Sequence, residues 1–217
     1  MAIATPVPLA RCVRGEFGAP AADTAAPLWE ALLPHPLLLN EDGGSPKQGT
    51  QVKFAWDSKA LRVFFVAEDS HPWATLREHD APLYKEEVFE VFLDPEGDGL
   101  SYFELEVNPN NAVLDGAMRR VRSGYRKDFG WHCTGLETAV RVFSGGWAAE
   151  LSIPFTSIAA APPEPGQRWR ANFTRIDRPL GEPRELSAWS PTGLAQFHVP
   201  SRFGLLEFAE QGSTKSG

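Results

Sequence analysis

Three glutamates on two adjacent segments have the spacing that most suggests chemistry in this chain. Glu90 lies in VFEVFL (88–93), and Glu104 and Glu106 lie in YFELEV (102–107). Carboxylates held close together accept hydrogen bonds or bind cations. Two of them could also supply the acid and the nucleophile of a glycoside hydrolase. The segments themselves therefore leave binding and catalysis both open.

The turn between these segments offers a second carboxylate group. Asp94 and Asp98 lie in DPEGDG, at a spacing that calcium tolerates well, although Asp-Gly turns also occur without metal. We expect a calcium ion, if one is present, at these two residues. The loop lacks the terminal glutamate of an EF-hand.

Alternation of apolar and polar residues predicts that both glutamate segments are strands of one hairpin. Each strand presents one apolar face to a core. The residues predicted on that face are Phe89, Val91, Leu93, Phe103, Leu105 and Val107. The glutamates then share the opposite face, where a merely solvated sheet would mix acids with Lys, Thr and Ser.

The rest of the chain repeats this pattern of short strands and turns. Further strands are predicted at residues 50–56, 61–67, 136–143, 147–153, 168–176, 185–190 and 203–208. PFTSIAA is expected to form one helical turn, and the arginine-rich segment 111–135 a solvated loop or, alternatively, an anion site. The sequence thus predicts an all-β protein, an antiparallel β-sandwich with little helix. We expect one domain over residues 1–209 and a disordered tail at 210–217.

Several classes of protein are disfavoured by composition. A net charge of −7 argues against a nucleic-acid partner, which requires a clustered basic surface. Cys12 and Cys133 lack metal-binding spacing, a core of this size does not need a disulfide, and the five histidines show no HxH or HExxH motif. The apolar runs are too short for a membrane span, and no signal peptide is visible. We expect a monomer, in a compartment that the sequence leaves undefined.

The order of these segments resembles that of a known family. Residues from about 50 to 208 are similar, in unbroken order, to the family 9 carbohydrate-binding modules, particularly free-standing members. The segments that carry the resemblance are WDSKALRVFFVAEDSHPWAT, PLYKEEVFEVFLDPEGDGLSYFELEVNPN, GGWAAELSIPF, RANFTRID and SAWSPTGLAQFHVPSRFGLLEF. The resemblance implies a jelly-roll-like β-sandwich that binds carbohydrate, with structural calcium nearby.

The resemblance also implies site residues. The family holds a sugar end between two rings, which fall here at Tyr84 and Phe197, and a family glutamate matches Glu90. The family arginine on the next strand falls at Glu104, and a family glutamine falls at Thr174. Pyranose faces stack on aromatic rings and sugar hydroxyls bond to carboxylates and amides, so this set is chemically suited to a sugar.

Each candidate has an ordinary structural alternative. Tyr84 and Phe197 could anchor their loops, and Glu90 could pair with an arginine such as Arg170 or Arg175. Trp73, in the long loop between Glu68 and Lys85, could form a rim platform or plug the end of the sandwich. Asn172, on the strand 168–176, is a further candidate for sugar contacts.

Three functions follow from these features. The first is non-catalytic carbohydrate binding. The second is a glycoside hydrolase that uses the glutamate-rich face. The third is a haem-binding domain of cytochrome type, which would need Met118 with His132 or His198 as axial ligands.

Overall fold

The computed structural model describes residues 6–122 and 124–210, and its regular secondary structure is mostly β-strand. The strands are β1 (Leu9–Arg14), β2 (His35–Pro36), β3 (Leu38–Leu39), β4 (Thr50–Trp56), β5 (Ala60–Glu68), β6 (Val88–Asp94), β7 (Ser101–Val107), β8 (Val113–Val121), β9 (Gly124–Asp128), β10 (Glu137–Phe143), β11 (Gly146–Pro154), β12 (Arg168–Asp177), β13 (Glu185–Ala188) and β14 (Gly204–Ala209). The helical elements are α1 (Pro27–Ala31), α2 (Phe155–Ile158) and the 3-10 turns Leu83–Lys85 and Pro200–Arg202. The predicted all-β class is confirmed.

The strands form one continuous sheet that folds over on itself. Its order is β10-β11-β5-β4-β1-β14-β12-β6-β7-β8-β9, with β2, β3 and β13 attached at the side. Phe65 on β5 stacks on Phe89 on β6, with ring centroids 4.6 Å apart, and Phe89 stacks on Trp147 of β11 at 3.8 Å. The two halves of the sheet therefore pack face to face around the main core.

The sheet is mixed rather than purely antiparallel. Strand β1 runs parallel to both of its neighbours, β4 and β14, and joins the two halves of the sheet. Sequence alternation does not report strand direction, and no strand was predicted before residue 50. The other main pairings of the sheet are antiparallel, as predicted.

The segment 111–135, expected to be a loop, contains strands β8 and β9. Leu114 and Met118 of β8 are buried in a second apolar cluster on the outer face of the sheet, together with Phe92 of β6. The arginines of this hairpin lie at its exposed end, and their density masked the apolar residues that pair β8 with β7.

Other expectations concern the termini and the cysteines. Of the tail predicted at 210–217, only Glu210 lies within the described residues. Cys12 and Cys133 are both buried and free. Among residues 6–122 and 124–210, no helix combines the length and apolar character needed to cross a membrane.

Candidate functional site

Strand register brings the three glutamates to one point on the outer face of the sheet. Glu90 of β6 pairs with Glu106 of β7 on one side and with Thr174 of β12 on the other. Glu104 lies two residues before Glu106 on the same face of β7. One carboxylate oxygen from each glutamate lies within 4.8 Å of the others. The hairpin predicted from sequence thus assembles the acidic cluster.

The three carboxylates are almost completely buried. Oε2 of Glu90 accepts a 2.6 Å hydrogen bond from the hydroxyl of Thr174. The Oε2 atoms of Glu104 and Glu106 are buried and have no hydrogen-bond partner within the described part of the chain. Buried polar atoms of native proteins are nearly always bonded, so these two oxygens are acceptors available to a ligand or to water.

Burial shifts the protonation of this cluster toward the neutral acids. Burial raises the pKa of Glu90 to about 8, and the nearby charge of Glu104 adds to the increase. Burial likewise raises the pKa of Glu104 to about 7 and that of Glu106 well above its ordinary value. Like charges this close oppose joint ionisation, so at neutral pH the cluster retains protons.

A lysine and a histidine adjoin the acids. Nζ of Lys127, on β9, lies 3.8 Å from Oε2 of Glu104 and 2.7 Å from Nε2 of His198. Burial, assisted by the Lys127 charge, lowers the pKa of His198 to about 4, so this imidazole is neutral. The ammonium can only donate, and we therefore assign Nε2 as the acceptor and Nδ1 as the donor to the Tyr102 hydroxyl, 2.9 Å away.

The two aromatic residues expected at the site line the same cavity as the glutamates. This cavity has a volume of about 170 Å³. Its polar and aromatic lining residues are Tyr84, Glu90, Glu104, Glu106, Lys127, Arg184, Gln196, Phe197 and His198. Tyr84 is 39% exposed, whereas Phe197 is 6% exposed and packs on Phe92. Tyr84 therefore presents the larger accessible ring surface.

Comparison with known proteins now identifies the family. The sequence model of the carbohydrate family 9 binding domain-like proteins matches residues 30–211. The chain belongs to this family. A curated relative, exoglucanase XynX of Acetivibrio thermocellus, is 28% identical over 131 residues, which are 59% of this chain. The chain spans only about 10% of the length of that relative.

Solved structures share the fold of this family 9 domain. A family 9 module of Caldicellulosiruptor kristjanssonii, solved with cellotriose, superposes with a TM-score of 0.70 at 16% identity, covering 96% of this chain and 97% of the module. A family 9 module of the same organism, solved with glucose, also gives a TM-score of 0.70 at 16% identity over 96% of this chain and all of its own. A Bacteroides uniformis protein, provisionally described as carbohydrate-binding, gives a TM-score of 0.75 at 18% identity over 94% of this chain and all of its own.

A buried asparagine shapes the loop that supplies Phe197 to the family 9 cavity. The side-chain amide of Asn40 donates to Oγ1 of Thr192 and to the carbonyl oxygens of Leu194 and Gln196, at 2.9, 2.6 and 3.0 Å. Its Oδ1 accepts from the amide of Thr192 at 3.0 Å. Asn40 thus fixes the backbone immediately before Phe197.

Two expected sugar contacts lie outside the cavity. Both polar atoms of Asn172 bond to the backbone of Ser190, at 2.9 Å each, and the residue is fully buried. Nε1 of Trp73 donates to the carbonyl oxygen of Arg178 at 3.0 Å. The amide of Asn172 is therefore consumed by backbone bonds, which strand alternation does not reveal, whereas the role of the half-buried Trp73 ring stays a prediction.

The predicted calcium turn is closed by its own hydrogen bonds. Asp94 is buried, and its two carboxylate oxygens accept from the amides of Gly97 and Gly99 at 2.7 and 2.9 Å. Asp98 accepts from the amide of Leu100 at 2.7 Å. Both oxygens of Asp94 and one oxygen of Asp98 are thus engaged within the turn, and calcium at these two residues stays a prediction.

Arg170 and Arg175, the arginines expected as alternative partners of Glu90, contact other groups. Arg175 contacts Asp69 at 2.6 Å and Asp177 at 3.1 Å instead. Arg170 donates to the carbonyl oxygen of Gly97. The buried group formed by Asp69, Asp177 and Glu87 thus holds an internal guanidinium, while the glutamate cluster remains accessible from the cavity.

The ligand set required by the haem alternative is engaged elsewhere. Met118 is buried in the second apolar cluster. His198 contacts Tyr102 and Lys127, and His132 lies beside Asp115. By strand alternation, Asp115 points away from the glutamate face, so the two histidines serve different regions.

The cationic half of the cavity is not visible in the sequence. Lys127 lies in a basic run that predicts a solvated loop, and no pattern marks Arg184, Gln196 or His198 as lining residues. Only the β8–β9 pairing, which places Lys127 opposite Met118, directs the ammonium toward Glu104. A larger cleft of about 520 Å³ adjoins the cavity at His198, but three arginines, Tyr125 and the exposed Asp98 line it rather than buried acids.

Proposed function

We propose that this family 9 domain binds the end of a saccharide in the cavity between Tyr84 and Phe197, without catalysing a reaction. One observation carries the proposal: two rings from distant parts of the chain line a single cavity together with three buried glutamates. The solved complexes of structural relatives with glucose and cellotriose support the same class of ligand.

The cavity chemistry suits a polyhydroxylated ring. The partly exposed ring of Tyr84 can pack against the CH-rich face of a pyranose. The unbonded Oε2 atoms of Glu104 and Glu106 can accept hydrogen bonds from hydroxyls. Lys127 and Arg184 can donate hydrogen bonds to sugar oxygens. The cavity residues therefore include acceptors for the hydroxyl protons of the ligand and donors for its oxygen atoms.

The volume favours a chain end. Pockets that enclose drug-sized ligands typically measure about 300–1,000 Å³, whereas this cavity has about 170 Å³. We expect one sugar ring to enter it, with any further rings outside in solvent.

The glutamate geometry favours binding over hydrolysis. The two carboxyl groups of retaining and inverting glycosidases are about 5–5.5 and 6.5–9.5 Å apart, which leaves room for the bond to be cleaved. Here one carboxylate oxygen from each of the three glutamates lies within 4.8 Å of the others, on one face of one sheet. The acids thus form a single cluster rather than a pair that faces across a bound sugar.

Isothermal titration calorimetry of the protein with glucose, cellotriose and a panel of other oligosaccharides tests the proposal. We expect saturable heat with at least one sugar, and equal affinity for a monosaccharide and a longer chain that shares its end. Absence of heat with every sugar would refute carbohydrate binding. Turnover of chromogenic glycosides that disappears in Glu90→Gln would instead establish the hydrolase.

A further inference from the structure

A second polar cluster lies on the other side of the β7–β8 pair. His79 and Asp80 come from the loop before the 3-10 turn Leu83–Lys85, Asp115 from β8, and His132 from the segment after β9. One ligand atom from each residue lies within 4.8 Å of the others. Residues distant in sequence converge here, which explains why no histidine motif was visible.

The distances match the edges of a tetrahedron around a small metal ion. Nδ1 of His132 lies 3.3 Å from Oδ1 of Asp115 and 3.9 Å from Oδ2 of Asp80, and Nδ1 of His79 lies 3.0 Å from that same Oδ2. Zinc holds nitrogen and oxygen ligands at about 2.0–2.2 Å, so neighbouring ligands of a tetrahedral site are roughly 3.3 Å apart. Small side-chain movements would close the site.

Contacts within the protein already hold one of the carboxylate ligands in place. Asp115 is buried, and its other oxygen accepts a 2.8 Å hydrogen bond from the amide of Cys133, which fixes the carboxylate. Oδ1 of Asp80 is buried and has no hydrogen-bond partner among the residues described. The side chains of His79 and His132 are 53% and 58% exposed, so an ion can reach them from solvent.

We infer that His79, Asp80, Asp115 and His132 bind one divalent transition-metal ion of the zinc class. Two imidazoles with two carboxylates favour zinc, cobalt or nickel over calcium and magnesium, which select oxygen ligands. The alternative is a pair of ordinary His–Asp contacts. The ring centroids of His79 and His132 are 5.4 Å apart, however, and the Nδ1 atoms of both rings lie within 4 Å of the same Asp80 oxygen, so the two contacts converge on one point rather than forming separate pairs.

Such an ion would link two segments that the carbohydrate cavity also uses. Its ligands Asp80 and His132 come from the loop that leads to Tyr84 and from the segment that follows Lys127. The metal site itself does not depend on the proposed sugar ligand, and the two can be tested separately.

Titration of chelator-treated, tag-free protein with ZnCl2 and CoCl2 tests the inference. We expect one equivalent of Zn²⁺ to bind and to raise the thermal midpoint, Co²⁺ to give visible d–d absorption, and excess Ca²⁺ to displace neither ion. His79→Ala and His132→Ala should each weaken Zn²⁺ binding at least about tenfold. His71→Ala, an exposed histidine outside the cluster, is the matched control and should bind as the unaltered protein does.

The Zn²⁺ titrations distinguish binding at this cluster from binding elsewhere and from no binding. Equal uptake of Zn²⁺ by the unaltered protein and the His79→Ala and His132→Ala variants would place the metal elsewhere and overturn the inference, as would no uptake at all. Both histidines are largely exposed, so loss of binding in their variants can be checked against an unchanged circular dichroism spectrum. Sugar titrations of the same variants report on the cavity independently.

Discussion

Thr174 donates its hydroxyl proton to Glu90 across a distance of 2.6 Å, from β12 to the neighbouring strand β6. The family resemblance places a glutamine at this position, whose longer amide could reach a ligand. Thr174 instead donates a hydrogen bond to a carboxylate of the protein itself. The oxygens left open in this cavity therefore belong to Glu104 and Glu106 rather than to the Thr174-bound oxygen of Glu90.

Glu104→Gln should weaken sugar binding about 10- to 100-fold, because it replaces an acceptor oxygen by an NH2 donor and a mismatched buried polar group costs about 1–3 kcal/mol. Calorimetry with the best sugar of the panel measures the change. Glu137→Gln, at an exposed glutamate of β10, is the control and should leave affinity unchanged. Undiminished affinity in Glu104→Gln would exclude this carboxylate from the contact set.

Glu90 should make the ligand-free protein less stable as pH rises. The folded-state pKa of Glu90 is raised to about 8 from 4.5, so the folded protein holds this proton more tightly than the unfolded chain does. The destabilisation is absent below pH 4.5, grows through the interval and is complete above pH 8. Each pKa unit corresponds to about 1.4 kcal/mol.

Glu90→Gln removes this titration, so its free energy of unfolding should fall less steeply between those limits than that of the unaltered protein. Urea denaturation at a series of pH values measures both curves. Parallel curves would show that Glu90 ionises normally in the folded state.

Tyr84→Ala should lower sugar affinity up to about tenfold with little change in stability, because the ring is 39% exposed. Phe143→Ala removes a ring of similar exposure, 36%, from the β10–β11 hairpin and should not affect binding. Calorimetry and thermal denaturation of both variants provide the comparison. Equal affinities would show that Tyr84 does not contact the sugar.

Asn40→Ala should destabilise the protein by about 1–3 kcal/mol, because it leaves buried groups of the 192–196 loop without their partner. The same change should also weaken sugar binding, since Phe197 follows that loop directly. Gln51→Ala, at an exposed position of β4, should leave both quantities unaltered. Denaturant midpoints measure the change in stability, and calorimetry measures the change in sugar affinity. Unchanged affinity would show that the conformation of the 192–196 loop does not affect sugar binding.

Gly146→Ala should destabilise the fold by at least about 2 kcal/mol. A Cβ atom at residue 146 would lie 2.1 Å from the carbonyl oxygen of Ala67, a backbone atom of the adjacent strand. Gly18→Ala would meet nothing within 4 Å and serves as the matched control. Equal denaturant midpoints for the two variants would show that β5 and β11 can separate locally.

Sequence alone predicted the elements whose two faces differ in polarity. The β6–β7 hairpin and its glutamates were predicted because Phe89, Val91 and Leu105 alternate with charged or aromatic neighbours. Strands β8 and β9 were missed because a run of basic residues masked the apolar side chains that face the sheet.

The placement of single side chains depended on tertiary contacts that no local pattern reports. Asn172 and Glu90 both lie on alternating strands and both looked suited to a ligand. Only the structure shows that the amide of Asn172 is consumed by Ser190, whereas Glu90 borders a cavity. The same holds for Lys127, which β8–β9 pairing directs to the cavity, and for the His79–His132 cluster, whose members come from two loops and from β8.

The position of β1 has a consequence for where this domain begins. The family similarity starts at residue 30, but Leu9–Arg14 fills the gap between β4 and β14. A fragment cut at residue 30 would expose two unpaired backbone edges inside its own sheet, and such edges recruit strands from neighbouring molecules. The segment that completes the sheet is therefore longer than the segment that the family model matches.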